Sequence, residues 1–257
     1  MFAATSWELG AVLAAFTGQP RRMVGGVSVF SSANGDSEFW VARTGVGSEK
    51  AAREAAWLLK QQRFGLVVST GFACALNRAG IGDLIVGNSV MSMDAEKGKF
   101  IEVTSRGSAD HDRLISFAGT VVPADHIGTV VSVERIVGGP DEKQRYATLT
   151  GAIALDMESG ALASEAVKGG VPFVIVRAVS DLLDEELPLD FNLFLRPTGW
   201  LRGFASVIAA PSSLLGLGRL RRQSVTAAKS LTRFFQQYLS AVMMSSPNRT
   251  RGRYEHT

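Results

Sequence analysis

Cysteine is nearly missing from this chain of 257 residues: Cys74 stands alone, which excludes an internal disulfide and suits a reducing compartment. Histidine is scarce too. His111, His126 and His256 have no ligand-like spacing, so neither a metal nor another cofactor is expected. No unbroken apolar stretch reaches the ~18 residues of a membrane-spanning helix. The opening MFAATSWELG has no basic stretch ahead of an apolar one, so no signal peptide is expected. Internal repeats are lacking, and no low-complexity linker interrupts the chain before Arg196. Together these absences leave a cytoplasmic globular protein as the expectation.

Hydrophobic residues make up 46% of the chain, ordinary for a globular fold, and the length suits one large-cored domain with an appendage. The net charge of +3 conceals an asymmetry. From Arg196 onward there are ten Lys or Arg and one Asp or Glu, which leaves 17 against 23 in the body. A basic tail is either a solvated surface or a contact for an anionic partner.

Short apolar strands alternate with helical segments along the body. A first helix begins at Ser6, read as its N-cap, and residues 23–30 and 38–43 read as strands around the polar turn Ser32-Ala33-Asn34-Gly35-Asp36. Thr44-Gly45-Val46-Gly47-Ser48 then opens a helix over residues 49–63. Outward-pointing N–H groups make such a turn a natural anion site, and any tight strand–helix connection also needs glycine; both readings stand. Strands follow at 66–69 and 84–91, then a polar loop over 94–112, a strand around Val130 and Val131, and a helix over 140–150. The pattern implies an α/β fold with a mostly parallel, doubly wound or mixed central sheet flanked by helices.

Residues 151–181, GAIALDMESGALASEAVKGGVPFVIVRAVSD, organise the rest. A short apolar run is followed by Asp156-Met157-Glu158-Ser159, a helix rich in Ala, Leu and Glu, a Gly169-Gly170 stop and a buried strand from Phe173. Ligands of open α/β sheets sit at the carboxyl ends of strands, so Asp156, Glu158 and Asp181 should share one crevice. Beyond them, residues 190–195 start a closing helix. Leu217, Leu220, Ser224, Ala227, Leu231, Phe234 and Tyr238 recur at helical spacing with Arg219, Arg221, Arg222, Lys229 and Arg233 between them, which makes a basic amphipathic helix. Its stripe packs on its own domain or, as the minority reading, lies on a membrane. The expected organisation is a catalytic domain over 1–195, the helical extension over 196–244 and a disordered tail over 245–257.

Read together, Thr44-Gly45-Val46-Gly47, Ser69-Thr70-Gly71, Leu155-Asp156-Met157-Glu158 and Val176-Arg177-Ala178-Val179-Ser180-Asp181 resemble the nucleoside phosphorylase and nucleosidase superfamily, and within it the methylthioadenosine/S-adenosylhomocysteine nucleosidase branch. The resemblance implies cleavage of an N-glycosidic bond in a purine nucleoside. It makes Asp181 the acid for the leaving base and Glu8 the base that activates water. Glu158 then holds the ribose hydroxyls, Met157 lies against the sugar, and Ser180 orients the base. Gly71, Phe72 and Ile136 complete the substrate contacts. Phosphorylases of this superfamily carry a Gly-Asp-Pro turn with an arginine near the N-terminus and another arginine before the central glycine turn. Here Thr5-Ser6-Trp7-Glu8 and Ser69-Thr70 stand there, so hydrolysis leads and phosphorolysis is the alternative. A non-catalytic nucleoside-binding relative is the third reading.

The departures concern the substrate. Phe72 and Cys74 replace a small serine and a glycine, Arg135 falls where the family stacks a phenylalanine on the base, and Asp156 replaces a glutamate. Cys74 reads as a packed small residue, not a nucleophile, and Asp156 as a helix-start acid. The long tail resembles a hopanoid-associated branch in outline, which implies an adenosyl-lipid substrate and peripheral contact with the inner membrane surface. A homodimer and no nucleic-acid partner complete the expectations.

Overall fold

The computed structural model describes residues 1–16, 21–24, 27–34, 37–94, 99–188 and 212–245. Their strands are β1 (Phe2–Ala3), β2 (Arg21–Val24), β3 (Val27–Asn34), β4 (Ser37–Arg43), β5 (Val67–Ala75), β6 (Leu84–Asp94), β7 (Lys99–Thr104), β8 (Ile127–Ser132), β9 (Ala154–Asp156) and β10 (Phe173–Asp181). The helices are α1 (Ser6–Leu13), α2 (Ser48–Leu59), α3 (Ala109–Val121), α4 (Pro140–Thr150), α5 (Ser159–Lys168) and α6 (Ser212–Ser245).

The sheet is mixed and does not stay open. β10 pairs in parallel with β5 and antiparallel with β6, while β6, β8, β9 and β5 pair in turn, so five strands close a ring. From β5 the sheet continues outward through β1, β4, β3 and β2. A doubly wound sheet has two free edges, whereas here β10 is held on both sides. That suits its sequence: FVIVRAVSD is buried almost throughout, as a strand covered on both faces must be.

The two-residue period of β10 divides the core. Phe173, Ile175 and Val179 join a cluster with α2 and α5 residues such as Ala51, Ala55 and Leu162. Val174, Val176 and Ala178 join another with Leu114 of α3, Val12 of α1 and Ala227, Leu231, Phe234 and Tyr238 of α6. The stripe of the basic helix therefore packs on its own domain, and Arg222, Lys229 and Arg233 face outward. No helix among the described residues is long and apolar enough to cross a membrane.

Several local expectations need correction. Thr5, not Ser6, caps α1, in a box where the Thr5 side chain takes the Glu8 N–H and the Glu8 carboxylate takes the Thr5 N–H. The strand expected over 23–30 is two strands, β2 and β3, paired antiparallel. Helix α2 stops at Leu59. The loop expected over 94–112 contains β7, an exposed strand laid antiparallel on β6, and the start of α3. Within β7 only Phe100 and Val103 pack against the core, one from each face, so no apolar alternation marks the strand. The closing helix expected at 190–195, the apolar segment over 200–211 and the tail from 246 lie outside the described residues.

Phe234 is 1% exposed, with its ring edge-on to Phe117 at a centroid distance of 5.4 Å. Phe234→Ala should cost about 3–5 kcal/mol of stability, read as a lower denaturation midpoint at unchanged m-value.

Candidate active site

A cavity of about 480 Å³ opens where the carboxyl ends of the ring strands meet the first turns of α1 and α6. Its wall includes Thr5, Trp7 and Glu8 of α1; Phe72, Ala73 and Cys74 of β5; Ile136 and Val137; residues 155–158; Ser180 and Asp181; Leu187; and Leu217, Leu220, Arg221 and Ser224 of α6. The volume is that of a small-molecule site. Of the residues anticipated from sequence, Glu8, Phe72, Ile136, Met157, Glu158, Ser180 and Asp181 all line it. Gly71 lies behind the wall, where a Cβ would collide with Glu8 Oε1 and Arg177 Nη1. Arg135 is absent from the lining: its side chain is 55% exposed and pairs with Glu142 on the surface.

Each carboxylate is held by the element that delivers it. Glu8 sits at the third position of α1, so capping fixes it: Oε2 accepts from Thr5 N at 2.7 Å and Thr5 Oγ1 at 2.8 Å, and Oε1 from Phe72 N at 2.7 Å. A carboxylate offers about four acceptor positions, so one remains for a bound molecule. Glu158 ends the β9–α5 turn, and its Oε1 accepts from Gly47 N at 2.8 Å. The glycine turn before α2 is thus an anion site whose anion comes from the chain itself. Asp181 closes β10, and Lys143 Nζ donates to it at 3.0 Å.

A buried ion pair joins Asp156 of the wall to Arg177 behind it. Arg177 Nη2 is 2.6 Å from Asp156 Oδ2 and donates to Ser69 Oγ at 2.9 Å and Ser159 Oγ at 3.0 Å. Asp156 also accepts from the Ser159 N–H at 3.1 Å and from its hydroxyl. It is therefore a helix-start acid and the counter-ion of Arg177 at once.

Burial pushes the Glu158 carboxyl up to about 7; Arg177 opposes this, Asp156 adds to it, the Gly47 N–H opposes it and Glu8 adds to it. Burial likewise raises Asp181, against the opposing charge and hydrogen bond of Lys143. Burial would lower Arg177, but Asp156, Glu158 and Glu8 more than offset it and leave the guanidinium above its usual value. The Cys74 thiol is pushed upward by burial and by the charge of Asp181, the opposite of a nucleophile. No group of three or more His, Cys, Asp or Glu among the described residues is placed to hold a metal ion.

Sequence reasoning did not anticipate Lys143, the structural role of Arg177, or the wall supplied by Leu187 and α6. Lys143 gave no signal: it sits in PDEKQRY, a stretch that reads as a solvated helix start. Leu217, Leu220 and Ser224 read as a helical stripe, but spacing says only that a stripe is covered, not by what.

A family model described as the phosphorylase superfamily matches residues 2–196. The 5'-methylthioadenosine/S-adenosylhomocysteine nucleosidase of Staphylococcus aureus is 28% identical over 172 residues, which cover 62% of this chain and 75% of that protein. A solved structure of the Helicobacter pylori protein of that name superposes with a TM-score of 0.71 at 18% identity, covering 93% of this chain and 96% of its own. The futalosine hydrolase of the same organism gives 0.69 at 18%, covering 93% and 97%. At these identities the structures establish the fold, and coverage of this breadth extends past residue 196 into α6.

Gly71→Ala should displace Glu8 or Arg177, destabilise the fold and distort the cavity together, read as a fall in both melting temperature and ligand affinity. Glu158 predicts a pH effect with a definite sign. A carboxyl raised from 4.5 to about 7 keeps its proton longer in the folded than in the unfolded chain. Its contribution to stability is greatest below the unfolded value and is lost as pH rises through about 7, by on the order of 3 kcal/mol. The stability difference between Glu158→Gln and the parent chain should therefore grow in the variant's favour from pH 4.5 to 7.5, measured by urea denaturation.

Proposed function

The chain belongs to the phosphorylase superfamily, and from that premise we propose that it is an enzyme that hydrolyses the N-glycosidic bond of an adenosine-type nucleoside and releases the base. The observation that carries this reading is the convergence of Glu8, Glu158 and Asp181 on one cavity. Breaking the bond builds positive charge on the ribose and negative charge on the departing base, and carboxyl groups on either side of the sugar serve both. Asp181, whose burial favours the protonated form, gives its proton to a ring nitrogen of the base. Glu8 takes a proton from the attacking water through its remaining acceptor position, and the water oxygen bonds to the anomeric carbon. Glu158 accepts hydrogen bonds from two ribose hydroxyls, with Met157 against the ring and Gly71 leaving room for Glu8. Ile136, Phe72 and Ser180 contact the base.

Water is favoured over phosphate because the anion-binding groups are already engaged. The Gly47 N–H donates to Glu158 and Arg177 is tied to Asp156. The cation in the lining among the described residues is Arg221, an exposed residue of α6. The relatives named as methylthioadenosine/S-adenosylhomocysteine nucleosidases support an adenosine carrying a 5′-thioether. The resemblance to the nucleosidase branch implies a homodimer as well. The outward charges of α6 support contact with an anionic membrane surface by electrostatics alone, since its apolar stripe is used inside.

Adenine release from 5′-methylthioadenosine, followed with and without inorganic phosphate, tests the reading. Release at equal rates is expected; a rate that depends on phosphate would overturn hydrolysis, and no release with tight binding would favour a non-catalytic relative. Asp181→Asn should lower kcat by about 10²–10⁴-fold with binding of a nucleoside analogue retained. Glu158→Gln should weaken binding by about ten- to a hundredfold, the loss of charged hydrogen bonds.

A further inference from the structure

Helix α4 buries one residue, and it is Lys143. Its Nζ donates to Asp181 at 3.0 Å, to the Leu182 carbonyl at 2.8 Å and to the Glu185 carbonyl at 2.6 Å. An ammonium group has three protons, so all are used. The side chain is 0% exposed. Taking a charge out of water costs several kcal/mol, and an apolar residue of similar size would commonly serve stability as well or better. What Lys143 touches is the one carboxyl that faces the leaving base.

The other groups that face Asp181 are not cationic. Cys74 approaches from β5, and Glu185 comes from the segment after β10, where Gln223 of α6 donates to its carboxylate at 2.8 and 3.0 Å. Among the described residues, Lys143 is the positive charge in contact with Asp181.

We propose that Lys143 is a positioning residue for the leaving-group acid: its ammonium pins the Asp181 carboxyl in the cavity wall and resists its protonation, so that the carboxyl is a stronger acid when the base departs. The inference rests on reading Asp181 as that acid. In the step, the carboxyl O–H bond breaks as the N–H bond of the base forms, and the glycosidic electron pair leaves with the base. Lys143 keeps its three protons and balances the carboxylate charge that appears, at a position fixed beforehand.

The test is the pH profile of kcat for the full chain and for Lys143→Gln, which keeps a hydrogen-bond donor without the charge, beside Lys143→Arg, which keeps the charge. In Lys143→Gln the alkaline limb should move up by about one pH unit or more, and kcat below the limb should fall, because the acid holds its proton more tightly. In Lys143→Arg the limb should stay near its parent position. A lower kcat with an unmoved limb in Lys143→Gln is what a purely structural lysine produces, and it overturns the inference. If Lys143→Gln does not fold, carbon-13 labelled aspartate in the parent chain reads Asp181 directly. Nitrogen-15 labelled lysine reads the contact from the other side: the Lys143 ammonium resonance should shift at the pH where the Asp181 carboxyl takes its proton, and a resonance blind to that step overturns the inference. Asp181→Asn separates the two failures: retained turnover there removes the acid assignment itself, whereas loss of turnover with an unmoved Lys143→Gln limb removes Lys143 alone.

Discussion

Arg177 sits near the middle of β10 with 1% of its surface exposed, and from there its guanidinium reaches β5 through Ser69, the end of β9 through Asp156 and the start of α5 through Ser159. Four acids line the same cavity, and packing so many carboxyl groups into one apolar enclosure would be prohibitive without a counter-charge. Arg177 supplies it to Glu8, Asp156 and Glu158 from behind the wall, and Lys143 supplies it to Asp181. The raised Glu158 shows the limit of that counter-charge: there burial outweighs the opposing guanidinium. Removing Arg177 would leave Asp156 unpaired in the core, the costlier half of a broken buried pair.

Much of this was legible in the residues. The acids of DMESG and RAVSD mark the two turns at the carboxyl ends of β9 and β10, and Glu8 arrives three residues after its cap, a spacing that local hydrogen bonding enforces. What escaped were interactions that no period or motif encodes. Lys143 lies 38 residues from its partner in sequence and reads as a surface charge, since nothing local distinguishes a lysine that turns inward. The closing of the strand ring was hidden for a similar reason: β5 and β10 both read as buried strands, and burial is the same whether the covering neighbour is a helix or another strand. Strand β7 failed the test of apolar alternation because its two inward-packed residues, Phe100 and Val103, fall on opposite faces.

Helix α6 shows how one element can satisfy two readings at once. The charges that made it look like an appendage point to solvent, while Ala227, Leu231, Phe234 and Tyr238 complete the core on the outer face of β10. Its first turns, with Leu217, Leu220, Arg221 and Ser224, roof the cavity. The glycine turn before α2 has a comparable double use. Its N–H group answers the general demand of a helix start for an anion and, in doing so, fixes the orientation of Glu158.

The strand ring also has a consequence for how the protein comes into being. β5 leaves the ribosome early, but its neighbour β10 begins at Phe173, and the register that joins them pairs Val67 with Phe173. Until that late strand emerges, β5 and β6 wait with unpaired backbone edges, and the carboxylate of Glu8 has no guanidinium nearby. Contacts between segments this far apart form slowly and late. Closure of the strand ring and assembly of the charge arrangement in the cavity are therefore one event in the life of the nascent chain, and a chain halted before β10 has neither.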